Sequence, residues 1–78
     1  MTFESHKRYL VTGAGGFIGT ALCEQLQAQG QRVRALLRRS AVGPWDEAAE
    51  CDLGAEPLPH GLMDGIDGVF HLAGMAHV

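Results

Sequence analysis

The chain has 78 residues, 46 % of them hydrophobic and 19 % charged, with a net charge of −3. That composition suits one small globular domain, and it excludes a disordered chain as well as a multidomain one. No apolar run approaches the roughly 20 residues of a membrane span, and a net-acidic surface is a poor partner for nucleic acid.

The start "MTFESHKRYLV" lacks the long apolar core of a signal peptide. The expected compartment is therefore the cytoplasm, where Cys23 and Cys51 are reduced, buried thiols. The charge is unevenly spread. Arg32, Arg34, Arg38 and Arg39 fall within eight positions, flanked downstream by Asp46, Glu47, Glu50, Asp52, Glu56, Asp64 and Asp67. Such a compact arginine cluster suits one small anion.

Residues 8–12, "RYLVT", are short, apolar and β-prone, and they run directly into glycines, as a buried parallel strand does. From Phe17 the period changes. Ile18, Ala21, Leu22, Cys23 and Leu26 recur at helical spacing opposite Glu24, Gln25 and Gln27, and Gly30 follows as a stop. The pattern predicts a helix over 17–29.

"RVRALLRR" predicts a second strand, with Arg32 and Arg34 on the surface. "SAVGPWDEAAE" predicts an irregular loop around Gly43-Pro44, and a short third strand falls around "ECDL". "PLPHGLMDGI" predicts a short helix weakened by glycine. "DGVFHLAGM" predicts a fourth strand built on Val69, Phe70 and Leu72. Alternating strands and helices imply right-handed βαβ crossovers and a parallel sheet.

The glycines carry the chemistry. Gly13, Gly16 and Gly19 are spaced G-x-x-G-x-x-G, with Gly15 between the first two. At the start of a helix, backbone N–H groups and the helix dipole hold a pyrophosphate without any lysine. Glycine there allows the turn, leaves room for the phosphate and lets helix pack on strand. A P-loop is excluded because no lysine precedes Thr20. The plain alternative is a flexible turn without a ligand. The strand before the glycines and the amphipathic helix after them favour a dinucleotide.

"TGAGGFIG" resembles the nucleotide fingerprint of the extended short-chain dehydrogenase/reductase superfamily, and in particular its NAD-dependent epimerase/dehydratase branch, which acts on nucleotide sugars. "VRALLRRS", "CDL" and "DGVFHLAG" resemble that family's second, third and fourth strands in order. The resemblance runs from Arg8 onward and would cover about the first quarter of a typical member. It implies an α/β fold: a partial Rossmann fold of about four parallel strands in β-α-β-β-α-β order, forming an incomplete doubly wound sheet. Residues 1–78 would be the N-terminal part of a single NAD(P)-binding domain, with the substrate-binding part absent.

The resemblance also implies roles. Gly13, Gly16, Phe17 and Ile18 would surround the pyrophosphate, Gly15 would add a backbone N–H, and Gly19 would pack the helix on the sheet. Asp52 would meet the adenine amine with the Leu53 backbone beside it, although an ordinary loop carboxylate is the plain alternative. Leu72, Ala73 and Gly74 would line the ribose and nicotinamide half, in addition to packing as strand residues.

An acidic residue about 20 positions beyond the glycines marks NAD sites. Here Arg38, Arg39 and Ser40 stand in that place. A guanidinium clamps a phosphate with paired charge-assisted bonds, which favours the 2′-phosphate of NADP over NAD. Solvated surface charge is the alternative, and family members with arginine here include NAD users.

Family enzymes use a tyrosine with a lysine four residues later. The one tyrosine is Tyr9, and position 13 is glycine, so this chain alone is not expected to catalyse. His71 and His77 lack a carboxylate at metal-ligand spacing, so no metal site is expected. The leading expectation is the cofactor-binding part of a nucleotide-sugar epimerase or dehydratase. The alternatives are an NADP-dependent carbonyl reductase of the same superfamily and a non-catalytic NADP(H)-sensing module. With few helices to cover the sheet, self-association through an open face or edge is also expected.

Overall fold

A computed structural model of the protein describes residues 7–52, 54–55 and 57–72. Its elements are β1 (Arg8–Thr12), α1 (Phe17–Ala28), β2 (Arg32–Leu37), β3 (Glu47–Glu50) and β4 (Gly68–His71). The strands form one parallel sheet in the order β3-β2-β1-β4. The chain therefore winds outward through β2 and β3, then returns to lay β4 on the far side of β1. The direction of winding reverses between β1 and β4, and in open α/β sheets ligands bind at the carboxyl ends of the strands flanking such a reversal.

Alternation along the strands sorts side chains to two faces. Val11, Val33, Ala35 and Leu37 point towards α1 and form one cluster with Ala14, Cys23 and Leu26. Leu10 and Leu36 point the other way and pack with Cys51 and Leu62. α1 ends as its sequence predicts. Gly30 adopts φ +82°, its N–H donates to Gln27 O, and the Gln31 N–H donates to Leu26 O. This nested pair of bonds is a Schellman cap.

Three expectations need correction. "PLPHGLMDGI" is not a helix. Its backbone closes three successive turns, Leu62 N–H to Pro59 O, Asp64 N–H to Gly61 O and Ile66 N–H to Met63 O. Gly61 and Gly65 sit at φ +78° and +75°, outside the right-handed helical region. The segment nonetheless does what a helix would do, because Leu62 is buried on the sheet face opposite α1.

The third strand lies earlier than "ECDL", at Glu47–Glu50, and only Glu50 is common to both. Its ends are pinned by polar groups rather than by apolar ones. Asp46 Oδ2 accepts the Val33 N–H at 2.7 Å, and the Cys51 N–H donates to Leu37 O at 2.7 Å. "EAAE" carries no β-branched or aromatic residue, so nothing in its composition advertises a strand.

Arg34 is not a surface residue, since its side chain is only 12 % exposed. It lies directly opposite Glu47 in the β2–β3 register, and its Nε donates to Glu47 Oε1 at 3.1 Å. Its Nη1 donates to the carbonyl oxygens of Leu62 and Gly61. One guanidinium thus ties the turn segment to the sheet.

Tyr9 packs its ring on Phe70, with centroids 5.5 Å apart, joining β1 to β4. Cys23 is fully buried, and desolvation pushes its thiol up to about 11. Among the described residues no helix is long and apolar enough to cross a membrane.

Candidate functional site

β1 delivers the chain to the glycine turn. Its last residue, Thr12, is buried and shares a 2.8 Å hydrogen bond between its Oγ1 and His71 Nδ1 on β4. Gly13 then takes φ +72°, a conformation that L side chains rarely adopt. The Gly16 N–H closes the turn on Gly13 O at 3.2 Å. Thr20, in the first turn of α1, fixes the loop from the helix side by donating its Oγ1 hydrogen to Ala14 O at 3.0 Å.

The four glycines divide by what holds them. A Cβ on Gly19 would stand 2.2 Å from Gly13 O and 2.8 Å from Ala14 Cα, so helix and turn touch backbone to backbone there. Gly15 and Gly16 are different. A Cβ on Gly15 would make an ordinary 3.6 Å contact with Leu37 Cδ2, and one on Gly16 would lie 3.6 Å from Gly13 O. Neither has a positive φ. The chain's own packing therefore does not demand glycine at either position. What glycine preserves there is open space in front of the helix.

That helix end is electrostatically prepared for an anion. Gly16 is the N-cap in an extended conformation (φ −81°, ψ 176°), no side chain caps the end, and the first turn holds no acidic residue. The amides of Phe17, Ile18 and Gly19 have no carbonyl partner within the helix, and the positive end of the dipole adds to them. Phe17 is 93 % exposed and Ile18 62 %, so both stand at the mouth of the turn rather than in the core. The arrangement fits a pyrophosphate: open space, helix-end donors without an intrahelical partner, and no acidic residue in the first turn of α1.

The β2 end lies next to this turn through Leu37, whose Cδ2 is the atom nearest a Cβ on Gly15. Beyond it, Arg38 is 80 % exposed, with Nε 3.8 Å from Asp52 Oδ1. Arg39 and Ser40 are exposed. The Ser40 N–H donates to Glu50 Oε2 at 2.9 Å. Asp52 thus stands beside Arg38, on the same carboxyl edge of the sheet. Leu72 follows β4 and donates its N–H to Thr12 O at 3.2 Å, which brings it alongside the start of the glycine turn. Leu53, Ala73 and Gly74 lie outside the described residues.

Three contributors escaped the sequence reading. Thr12 and Thr20 buttress the turn, and a hydroxyl four positions beyond Gly16 was the available signal for Thr20. Glu50 reaches the arginine loop only because β2 and β3 end in register, Leu37 opposite Glu50. Among the described residues no three His, Cys, Asp or Glu side chains are grouped to hold a metal ion.

With this geometry in view, the relatives of the chain are informative. It is 33 % identical over 79 residues to uronate dehydrogenase of Pseudomonas putida, an alignment covering 97 % of this chain and 30 % of that protein. Uronate dehydrogenases of Pseudomonas syringae pv. tomato and Agrobacterium fabrum are 33 % and 35 % identical over 72 residues. Those alignments cover 88 % and 90 % of the chain, and 26 % and 27 % of the relatives. The chain thus spans less than a third of the length of the curated relatives it matches. No solved structure matches it significantly. The NAD dependent epimerase/dehydratase family matches residues 9–78, from within β1 onward, and the chain belongs to that family.

Proposed function

We propose that residues 1–78 are the N-terminal part of a single NAD(P)-binding Rossmann domain, and that they hold the pyrophosphate of the cofactor at the start of α1. The observation that carries this is the freedom at Gly15 and Gly16, whose missing side chains serve no contact within the chain. In this reading the amides of Gly15, Phe17 and Ile18 bind the phosphates, Gly16 lies against them with its own N–H closing the turn on Gly13 O, and Gly13 and Gly19 shape the turn. Asp52 with Leu53 borders the adenine, and Leu72, Ala73 and Gly74 border the ribose and nicotinamide. The bound nicotinamide supplies a hydride acceptor. This chain's residues orient it, and the residues that bind and deprotonate the substrate belong to the rest of the enzyme.

In the same reading Arg38, Arg39 and Ser40 face the ribose 2′-position, and the two guanidinium charges support NADP as an accepted cofactor. For the whole enzyme two substrate readings follow. The family match supports a nucleotide-sugar epimerase or dehydratase. The curated relatives, all uronate dehydrogenases, support oxidation of a sugar acid and favour this second reading.

The test is thermal unfolding with NAD⁺ and with NADP⁺, on the natural sequence and on Gly16→Asp. A ligand at 100 times its dissociation constant stabilises by about 2.7 kcal/mol, which raises the Tm of a domain this size by roughly 10–20 °C. The aspartate would cap the helix itself and add a negative charge, so the variant should stay folded and lose the response. A folded natural sequence that responds to neither nucleotide would remove the cradle.

A further inference from the structure

We propose that Glu50 is a specificity-determining residue that restrains binding of the 2′-phosphate in this site. The inference rests on the dinucleotide reading above and deepens it. At the carboxyl edge of the sheet, the loop after β2 carries two guanidinium groups, on Arg38 and Arg39, and the Ser40 amide. Opposite them, from β3 and the residues just after it, come two carboxylates. Asp52 approaches Arg38 at 3.8 Å. Glu50 accepts the Ser40 N–H at 2.9 Å, and the register that sets Leu37 opposite Glu50 holds this carboxylate at the loop.

The consequence differs for the two cofactors. A 2′-phosphate bound by this loop draws on its cations and on its backbone N–H groups. The Ser40 N–H is already given to Glu50, whose negative charge also repels the phosphate. A ribose 2′-hydroxyl meets no such obstacle, because a hydroxyl donates to a carboxylate. Two arginines attract the phosphate, Glu50 opposes it, and Asp52 draws on Arg38, so the preference is set by the balance and not by the arginines alone.

Glu50→Gln isolates the charge, because the amide oxygen still accepts the Ser40 N–H and the loop keeps its shape. Dissociation constants of NAD⁺ and NADP⁺ are measured by calorimetry for the natural sequence and the variant at one fixed salt concentration. The expected result is a five- to tenfold tightening for NADP⁺ with less than a twofold change for NAD⁺. Glu50→Ala, which also releases the Ser40 amide, should tighten NADP⁺ at least as much. Both nucleotides binding with an unchanged ratio in both variants overturns the role of Glu50 and leaves the cradle standing. Neither nucleotide binding to folded protein of any of the three sequences overturns the dinucleotide reading and this inference with it.

Discussion

Replacing Gly19 by alanine places a methyl carbon 2.2 Å from Gly13 O, 2.8 Å from Ala14 Cα and 3.0 Å from Gly13 C. All three are backbone atoms, so no rotamer change relieves the contact. Carbon atoms rest at about 3.5–4 Å from their neighbours, so helix and turn must separate by roughly 1 Å to reach even a tight contact. Overpacking of this kind costs about 1–3 kcal/mol, and a rigid backbone neighbour puts Gly19 at the upper end. Alanine in a helix returns about 1 kcal/mol relative to glycine. The net expectation is a loss of about 2 kcal/mol, a fall in Tm of roughly 8–16 °C for a domain this size. Scanning calorimetry with a urea titration measures it. The denaturant midpoint should fall at unchanged m. Gly15→Ala is the internal comparison, since its Cβ makes only a 3.6 Å contact and its stability should stay within about 0.5 kcal/mol. A Gly19→Ala variant as stable as the natural sequence would show that the turn yields cheaply and is not a fixed cradle.

Arg34→Ala removes charged hydrogen bonds to Glu47, Leu62 and Gly61, worth about 1.5–3 kcal/mol. Amide exchange should accelerate first at Leu62, Asp64 and Ile66, whereas an equal loss at Val11 would mean that Arg34 acts on the whole sheet. Burial sets a second expectation, in alkali. The Cys23 thiol ionises at about 11 when folded against an ordinary 9.0, so between those values the unfolded chain has lost a proton that the folded one keeps. Stability should therefore be intact below pH 9 and fall by roughly 2–3 kcal/mol as pH rises through 11. In Cys23→Ala that slope should vanish from the pH dependence of urea unfolding, and its persistence would assign the loss to another group.

How much of this was legible in the sequence follows from where the signals are local. β1 and α1 announced themselves because apolar spacing, the glycine turn and the Gly30 stop all lie within 23 residues and agree. β3 did not. Its identity as a strand comes from pairing with β2 and from carboxylates that bond across it, neither of which a composition of "EAAE" records. The segment before β4 reads as a helix weakened by glycine, and those glycines at positive φ make it a run of turns that buries Leu62. For the candidate site, the glycines were visible as a motif. Their division into two that the chain needs and two that it leaves open required the distances to neighbouring backbone. Glu50 illustrates the same limit: it lies ten residues from Ser40, and only strand register joins them.

The sheet order has a consequence for the chain as it is made. β1 sits between β2 and β4, yet its partners arrive at very different times: Arg8 pairs with Arg32, 24 residues on, while Thr12 pairs with His71, 59 residues on. At about 5–20 residues per second of synthesis, the first pairing can close within seconds, and the second must wait roughly 3–12 s after Thr12 is added. During that interval the strand that feeds the glycine turn has one edge without its partner, and Leu10 lacks the Leu62 segment that later covers it. Parallel pairings over such separations are slow to form, so an open strand edge beside uncovered leucine is the stage at which a nascent chain of this fold is most in need of a holdase.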